Sequence, residues 1–174
     1  AAIPFVLDNG FDLLVLDATP GIAGNWPELA GRPDFTVIRD ALAILRRMNR
    51  EEDLDLIYFG GVRTGTDGAK LVGLGAKVSV AGVAMGLAVG GRIEAGEMVF
   101  GGDRSHDERV DGATMLLQAL AAEATIMARC TGKTDVQNIE PEDLRTITLV
   151  TSKATGIQLP GKRQVIAKAL QAAE

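Results

Sequence analysis

The stretch from Leu54 to Gly91 constrains this chain most. Leu54, Leu56, Ile57, Tyr58 and Phe59 make a short apolar run that stops at Gly60-Gly61. That pattern suits a strand covered on both faces, as in a parallel sheet. Thr64-Gly65-Thr66-Asp67 follows as a helix start with two candidate caps, Thr64 and Thr66, and Ala69, Leu71, Val72 and Leu74 carry the helical pattern. Gly75 stands where a helix ends in a left-handed residue. Val78 to Ala81 reads as the next strand, and Gly82 opens the next turn. Strand, glycine turn, helix, strand, glycine turn is a crossover between parallel strands, right-handed by the general rule.

Two neighbouring turns of this kind have a chemical use. A residue without Cβ lets backbone N–H groups approach an anion, and the positive end of the next helix points the same way. In (β/α)8 barrels the phosphate site commonly lies at the turns after the last two strands. Gly60, Gly61, Gly82 and Val83 are therefore candidates for a phosphate cradle, and Arg63 shares the first turn. The plainer alternative is that these glycines only permit tight strand-to-helix connections.

The chain opens with a helix tail, Ala1 to Asn9, capped by Gly10. Phe11 to Ala18 gives a strand ending at Asp17, which either meets a ligand at the strand's C-terminal end or holds the turn by bonding Thr19. Thr19 to Pro33 is a Gly/Pro-rich loop with the only tryptophan, Trp26. It reads as a lid or an apolar plug. Asp34 to Asn49 is an amphipathic helix with Phe35, Ile38, Leu42 and Leu45 on one face, and Arg39, Arg46 and Arg47 are assigned to its negative end. Arg92 to Arg104 shows no period and reads as a surface loop. Ser105 to Glu108 is a capping box opening a helix to Thr131, with Val110, Ala113, Leu117, Leu120, Ala124 and Met127 as its apolar stripe. Glu140-Pro141 starts another helix, a short one runs near Thr148 to Thr155, and Lys162 to Ala173 reads as the last.

Composition narrows the classes. The chain has 174 residues, 47% of them hydrophobic, enough for one domain with a core. A net charge of −5 without a basic block argues against nucleic acid as a partner. No apolar stretch is long enough to span a bilayer, and a single cysteine fits a cytoplasmic, reducing setting and leaves no disulfide or thiolate metal site. The only histidine, His106, reads as a surface residue of the capping box. Cys130, Met115 and Met127 read as packing residues.

Residues Tyr58 to Gly91 and Ala128 to Gly161 resemble the FMN-binding synthase domain of the glutamate synthase family. Gly60-Gly61-Val62-Arg63-Thr64-Gly65 is similar to its Gly-Gly-(Ile/Leu)-Arg-(Ser/Thr)-Gly turn, and Gly82-Val83-Ala84 to its next turn. Ala128-Arg129-Cys130-Thr131-Gly132-Lys133-Thr134-Asp135-Val136, then Asn138 to Arg145 and Thr155 to Gly161, resemble the segment that follows the barrel. The separate-subunit forms, such as that of N-methylglutamate synthase, are the nearest in pattern.

The resemblance implies an α/β fold: the C-terminal portion, the last three strands, of a (β/α)8 TIM barrel over 1–91, then a linker loop and helical extension over 92–174. It implies FMN as cofactor, with its phosphate on Gly60, Gly61, Gly82 and Val83, Arg63 adding charge and Asp17 ending the earlier strand. The implied reaction reduces a 2-iminoglutarate-like intermediate to glutamate or N-methylglutamate. Implied partners are the missing N-terminal barrel portion or a partner chain, amidotransferase-like synthase subunits and a small-molecule substrate. The sequence departs from the family after Asp17, where Ala18-Thr19-Pro20-Gly21-Ile22 replaces a Gly-Met-Gln-Gly-Gly-Thr-like turn. It departs again in Arg92 to Arg109, which has no cysteine for an iron–sulfur cluster. The alternative from another class is a structural or regulatory barrel subunit without turnover.

Overall fold

The computed structural model describes residues 2–21 and 25–161. The helix expected over Lys162 to Ala173 lies outside them. Helix α1 (Ala2–Asp8) leads through Gly10, at φ +73°, into strand β1 (Leu13–Asp17). Helix α2 (Thr36–Met48) then precedes β2 (Asp55–Phe59), and α3 (Gly65–Gly73) precedes β3 (Val78–Val80). The strands form one parallel sheet in the order β1-β2-β3, with Asp17 opposite Phe59 and Phe59 opposite Val80. Their C-terminal ends therefore share one rim.

Period-2 alternation separates the two faces of the sheet. Leu14, Leu16, Leu56 and Tyr58 turn toward the helices. Leu45, Ala41, Leu54 and Leu56 pack with Ile3 and Leu7 at one end, and Ile38, Tyr58, Ala18, Val62 and Leu71 at the other. Ile38 and Leu45 are fully buried, and each contributes about 1.5–3 kcal/mol through that burial. The opposite face is bare: Leu13, Val15, Val78 and Val80 are 57%, 56%, 49% and 38% exposed.

After β3 come the short helix α4 (Gly82–Ala88) and a hairpin, β4 (Gly91–Glu94) with β5 (Glu97–Phe100). The hairpin corrects the loop expected over Arg92 to Arg104, and with it the reading of helices only beyond β3. Its strands are four residues each, too short for a period to show, and Ala95-Gly96 at φ +52° and +85° turns it.

Helix α5 (His106–Cys130) starts at Ser105, whose hydroxyl accepts from Glu108 N–H while the Glu108 carboxylate accepts from Ser105 N–H. It crosses α3 at Gly65, where a Cβ would run into the Leu120 carbonyl. Its inward line is half-buried through Gly112, Ala113, Leu116, Leu120, Ala124 and Met127, and only Ala128 is fully covered. Val110 and Leu117, expected in that stripe, are 48% and 56% exposed, and Met115, expected in the core, is 69% exposed. Near the start of α5 the Arg109 Nη1 donates to Val89 O at 3.0 Å, and Arg104, just ahead of the helix, donates through Nη1 to Ala88 O at 3.3 Å.

Pro141–Asp143 forms only a 3-10 turn where a helix start was expected. Helix α6 (Leu149–Thr155) ends at Gly156, φ +77°. Arg39 belongs to the first turn of α2 and donates to the Lys153 and Ala154 carbonyls at the end of α6. It caps that helix rather than its own, whose last turn holds Arg46 and Arg47.

Candidate functional site: two strand-to-helix turns on one carboxylate

The rim carries the turns Gly60 to Thr64 after β2 and Ala81 to Val83 after β3. Gly60 and Gly61 sit at φ +144° and +68°, values that side chains with a Cβ rarely adopt. Both turns meet on the same side chain, the carboxylate of Glu28. Gly61 N–H donates to Glu28 Oε1 at 2.9 Å, and Val83 N–H donates to Oε2 at 2.7 Å. The indole of Trp26 also donates to Oε2, at 3.3 Å. Glu28 is 9% exposed. A buried carboxylate needs donors of this number, since an unpaired one would cost several kcal/mol or more (order of magnitude). A Cβ at Gly82 would run into Oε2, so the residue's lack of a side chain leaves space for the anion.

Glu28 arrives from outside the rim. It lies in the 3-10 turn Pro27–Leu29 of the segment between β1 and α2. The base of that segment is closed by Asp34 N–H donating to Ala18 O at 2.7 Å. Asn25 holds its other end, exchanging two hydrogen bonds with the backbone of Met98 at 2.7 and 3.0 Å. The Trp26 ring lies against Phe100 with centroids 6.0 Å apart, tilted by 49°. The loop is thus docked on the rim and on the hairpin together. Beneath it Tyr58 is 2% exposed. Burial first, then the charges of Asp34, Asp67 and Glu28, push its phenol up to about 12, so it stays protonated.

The other expected site residues fall nearby with different attachments. Asp17 ends β1 at the rim, and its Oδ1 accepts from Thr19 N–H at 2.9 Å and from the Thr19 hydroxyl at 2.7 Å. The turn-holding role is the one this geometry displays. Arg63 projects an exposed side chain, while its N–H donates to Asp67 Oδ2 at 3.2 Å. Asp67 also completes a capping box with Thr64. Thr66 does not cap, and its N–H, like that of Gly65, faces the Glu123 carboxylate of α5.

Glu28 is the site residue that pattern reading missed. No local motif marks it, because its partners lie 33 and 55 residues away. One signal was available: it is the only acid between Asp17 and Asp34.

These features define a parallel α/β unit whose rim turns hold the carboxylate of Glu28, and solved structures share that fold. Over 98% of this chain, a doubly substituted flavocytochrome b2 with sulfite bound superposes with a TM-score of 0.61 at 22% identity, the chain covering 37% of it. A singly substituted flavocytochrome b2 with benzoylformate gives 0.57 at 19% identity and 36% coverage. Among curated proteins, the glutamate synthase large subunit-like protein of Rhizobium meliloti (strain 1021) is 26% identical over 185 residues, 87% of this chain and 42% of that protein. The chain thus spans less than half the length of the relatives it matches. No family model matches it. Among the described residues, no helix is long and apolar enough to cross a membrane, and no group of three or more His, Cys, Asp or Glu is placed to hold a metal ion.

Proposed function

We propose that this chain is the rim-bearing portion of an FMN-dependent oxidoreductase of the glutamate synthase type. The observation that carries the reading is the convergence of the Gly61 and Val83 N–H groups on one oxyanion. The named relative supports the synthase assignment, and the fold shared with flavocytochrome b2 supports a (β/α)8 flavoprotein.

The residues fit the phosphate end of such a cofactor. The seat already holds a carboxylate through backbone donors, and a phosphate oxygen makes the same demand. Gly61 and Val83 would hold the phosphate through N–H groups, with Gly82 keeping the space free of a Cβ, Gly60 setting the turn through its φ of +144°, and the exposed Arg63 in the same turn. Bound FMN would supply two-electron transfer to an imine, yielding glutamate or N-methylglutamate. The chain's own part is to fix the anion and, through Tyr58, to keep a neutral, protonated floor beneath the rim. Asp17 ends the neighbouring strand at the same rim. The bare sheet face is the side the remaining barrel strands would cover, whether they belong to the same polypeptide or to another subunit.

A second reading, a non-catalytic barrel subunit, draws on Glu28's occupation of the seat. Absorbance of the purified full assembly separates the two. The synthase reading expects a flavin spectrum that Gly61→Asp abolishes, because the new carboxylate and its Cβ, 2.8 Å from Pro33 Cγ, deform the turn. Arg63→Ala is expected to weaken flavin retention about tenfold, the size of one charge-assisted contact. An assembly that is colourless and takes up no added FMN refutes the oxidoreductase reading and leaves the scaffold.

A further inference from the structure

We propose that Glu28 is an internal gate on the anion seat: its carboxylate and a ligand's phosphate take the same two backbone N–H groups, so a phosphate binds only when the Trp26–Glu28 turn swings away. This rests on the phosphate-seat reading above and adds the competitor that controls it.

The exclusion is steric and electrostatic. Glu28 uses both carboxylate oxygens, one on Gly61 N–H and one on Val83 N–H. It fills the space above Gly82 so closely that not even a Cβ fits there. Two anions cannot share donors that one of them already saturates, and like charges at this separation in a buried setting repel strongly.

The gate belongs to the loop, not to the rim. Its own attachments, the Asn25 pair with Met98 and the Trp26 contact with Phe100, lie on the hairpin. The carboxylate is therefore the tie between this turn and the strand ends. Trp26 reports on it directly, because its indole N–H has Glu28 Oε2 as acceptor. When the carboxylate leaves, that hydrogen bond breaks, and the chain contains no other tryptophan to obscure the signal.

Glutamine at this position would open the gate. Its amide keeps one acceptor oxygen but turns an NH2 group toward a backbone N–H, placing donor against donor. Apparent affinity for a ligand scales with the fraction of molecules whose site is open, so Glu28→Gln should tighten phosphate binding by about tenfold or more.

The test is a titration of the 15N-labelled full chain with inorganic phosphate, following the amides of Gly61 and Val83 and the indole N–H of Trp26. In the wild type the proposal expects all three resonances to move with one dissociation constant. In Glu28→Gln and Glu28→Ala it expects the indole resonance to be displaced before phosphate is added, and binding at least about tenfold tighter. FMN should reproduce the effect of phosphate, and riboflavin, which lacks the phosphate, should not. Equal affinities in all three proteins overturn the gate, as does a wild type whose Gly61 and Val83 respond while Trp26 stays still. That wild-type arm decides the matter even where a variant fails to fold. If Gly61 and Val83 respond to phosphate in none of the proteins, the phosphate seat itself fails and Glu28 is a permanent structural tie.

Discussion

Tyr58 offers the cleanest residue-scale test, since it is the only tyrosine and its phenol is held near 12 by burial and by surrounding carboxylates. Between its ordinary value of 10 and that raised value, the unfolded phenol has lost its proton while the folded one keeps it. The folded state then binds more protons, so stability falls as pH rises through this window. Ultraviolet titration of the native chain should show phenolate appearing only near pH 12, and phenolate formation around 10 with the fold intact would contradict the burial. Asp34 behaves in the opposite sense. Hydrogen bonds from the Thr36 hydroxyl and then from its N–H, at 2.6 and 2.9 Å, hold this carboxyl below the usual aspartate value of 3.8. Its contribution is complete above 3.8 and is lost as pH falls through the lower folded value. Asp34→Ala should cost about 1 kcal/mol at neutral pH, as the loss of a helix-start contact does. In urea unfolding, the gap between variant and wild type should close in acid.

The packing of helices α3 and α5 gives a paired prediction at the element scale. A Cβ on Gly65 would meet Glu123 Cβ at 2.7 Å and Ala124 N at 2.8 Å, besides the Leu120 carbonyl. Backbone cannot step aside, so Gly65→Ala should destabilise by about 1–3 kcal/mol as the helices are forced apart. Three residues on, a Cβ at Gly68 meets only Ser79 Oγ at 3.4 Å, an ordinary contact. Gly68→Ala should therefore stabilise, by up to about 1 kcal/mol of helix propensity. Denaturation midpoints moving in the same direction for both would refute this account of the crossing. The two helices also show what sequence could and could not reveal. Their starts were legible because capping is local: Thr64, one of two candidate caps, does cap α3, and Ser105 with Glu108 forms the box its spacing suggests. Glycines at the ends of α1 and α3 were legible for the same reason, as were the strand ends that make the rim. The hairpin over residues 91–100 was not, since four-residue strands carry too little alternation. Nor was the phase of α5, which meets α3 at Gly65 and Ala88 at Gly112 through close backbone approaches that no periodicity marks. Most of all, Glu28 was hidden, because a carboxylate's fit to amides in two distant turns depends on the assembled rim.

At the scale of the whole molecule, the sheet is finished on one side only. The face toward the helices is buried, while Leu13 and Val15 on β1 and Val78 and Val80 on β3 remain open to solvent. Apolar side chains on alternate positions of adjacent parallel strands are what the interior of a closed barrel is made from. The chain covers 37% of the flavocytochrome b2 chain whose fold it shares, so the proposed barrel has strands left to supply that interior. A charge placed on this face should have different consequences before and after closure. Val15 is 56% exposed, and Val15→Asp should shift the stability of the chain by itself by no more than about 0.5 kcal/mol, as surface changes usually do. Inside a closed barrel the same carboxylate would be desolvated without a partner, at a cost of several kcal/mol (order of magnitude). The expected outcome is a variant with an unchanged urea midpoint that no longer co-purifies with the rest of the assembly. Leu16→Asp, on the helix-facing side of the same strand, should instead unfold the chain before assembly is tested. A Val15→Asp chain that assembles like the wild type would show that this face meets no barrel interior, and the parallel sheet would then need a different partner.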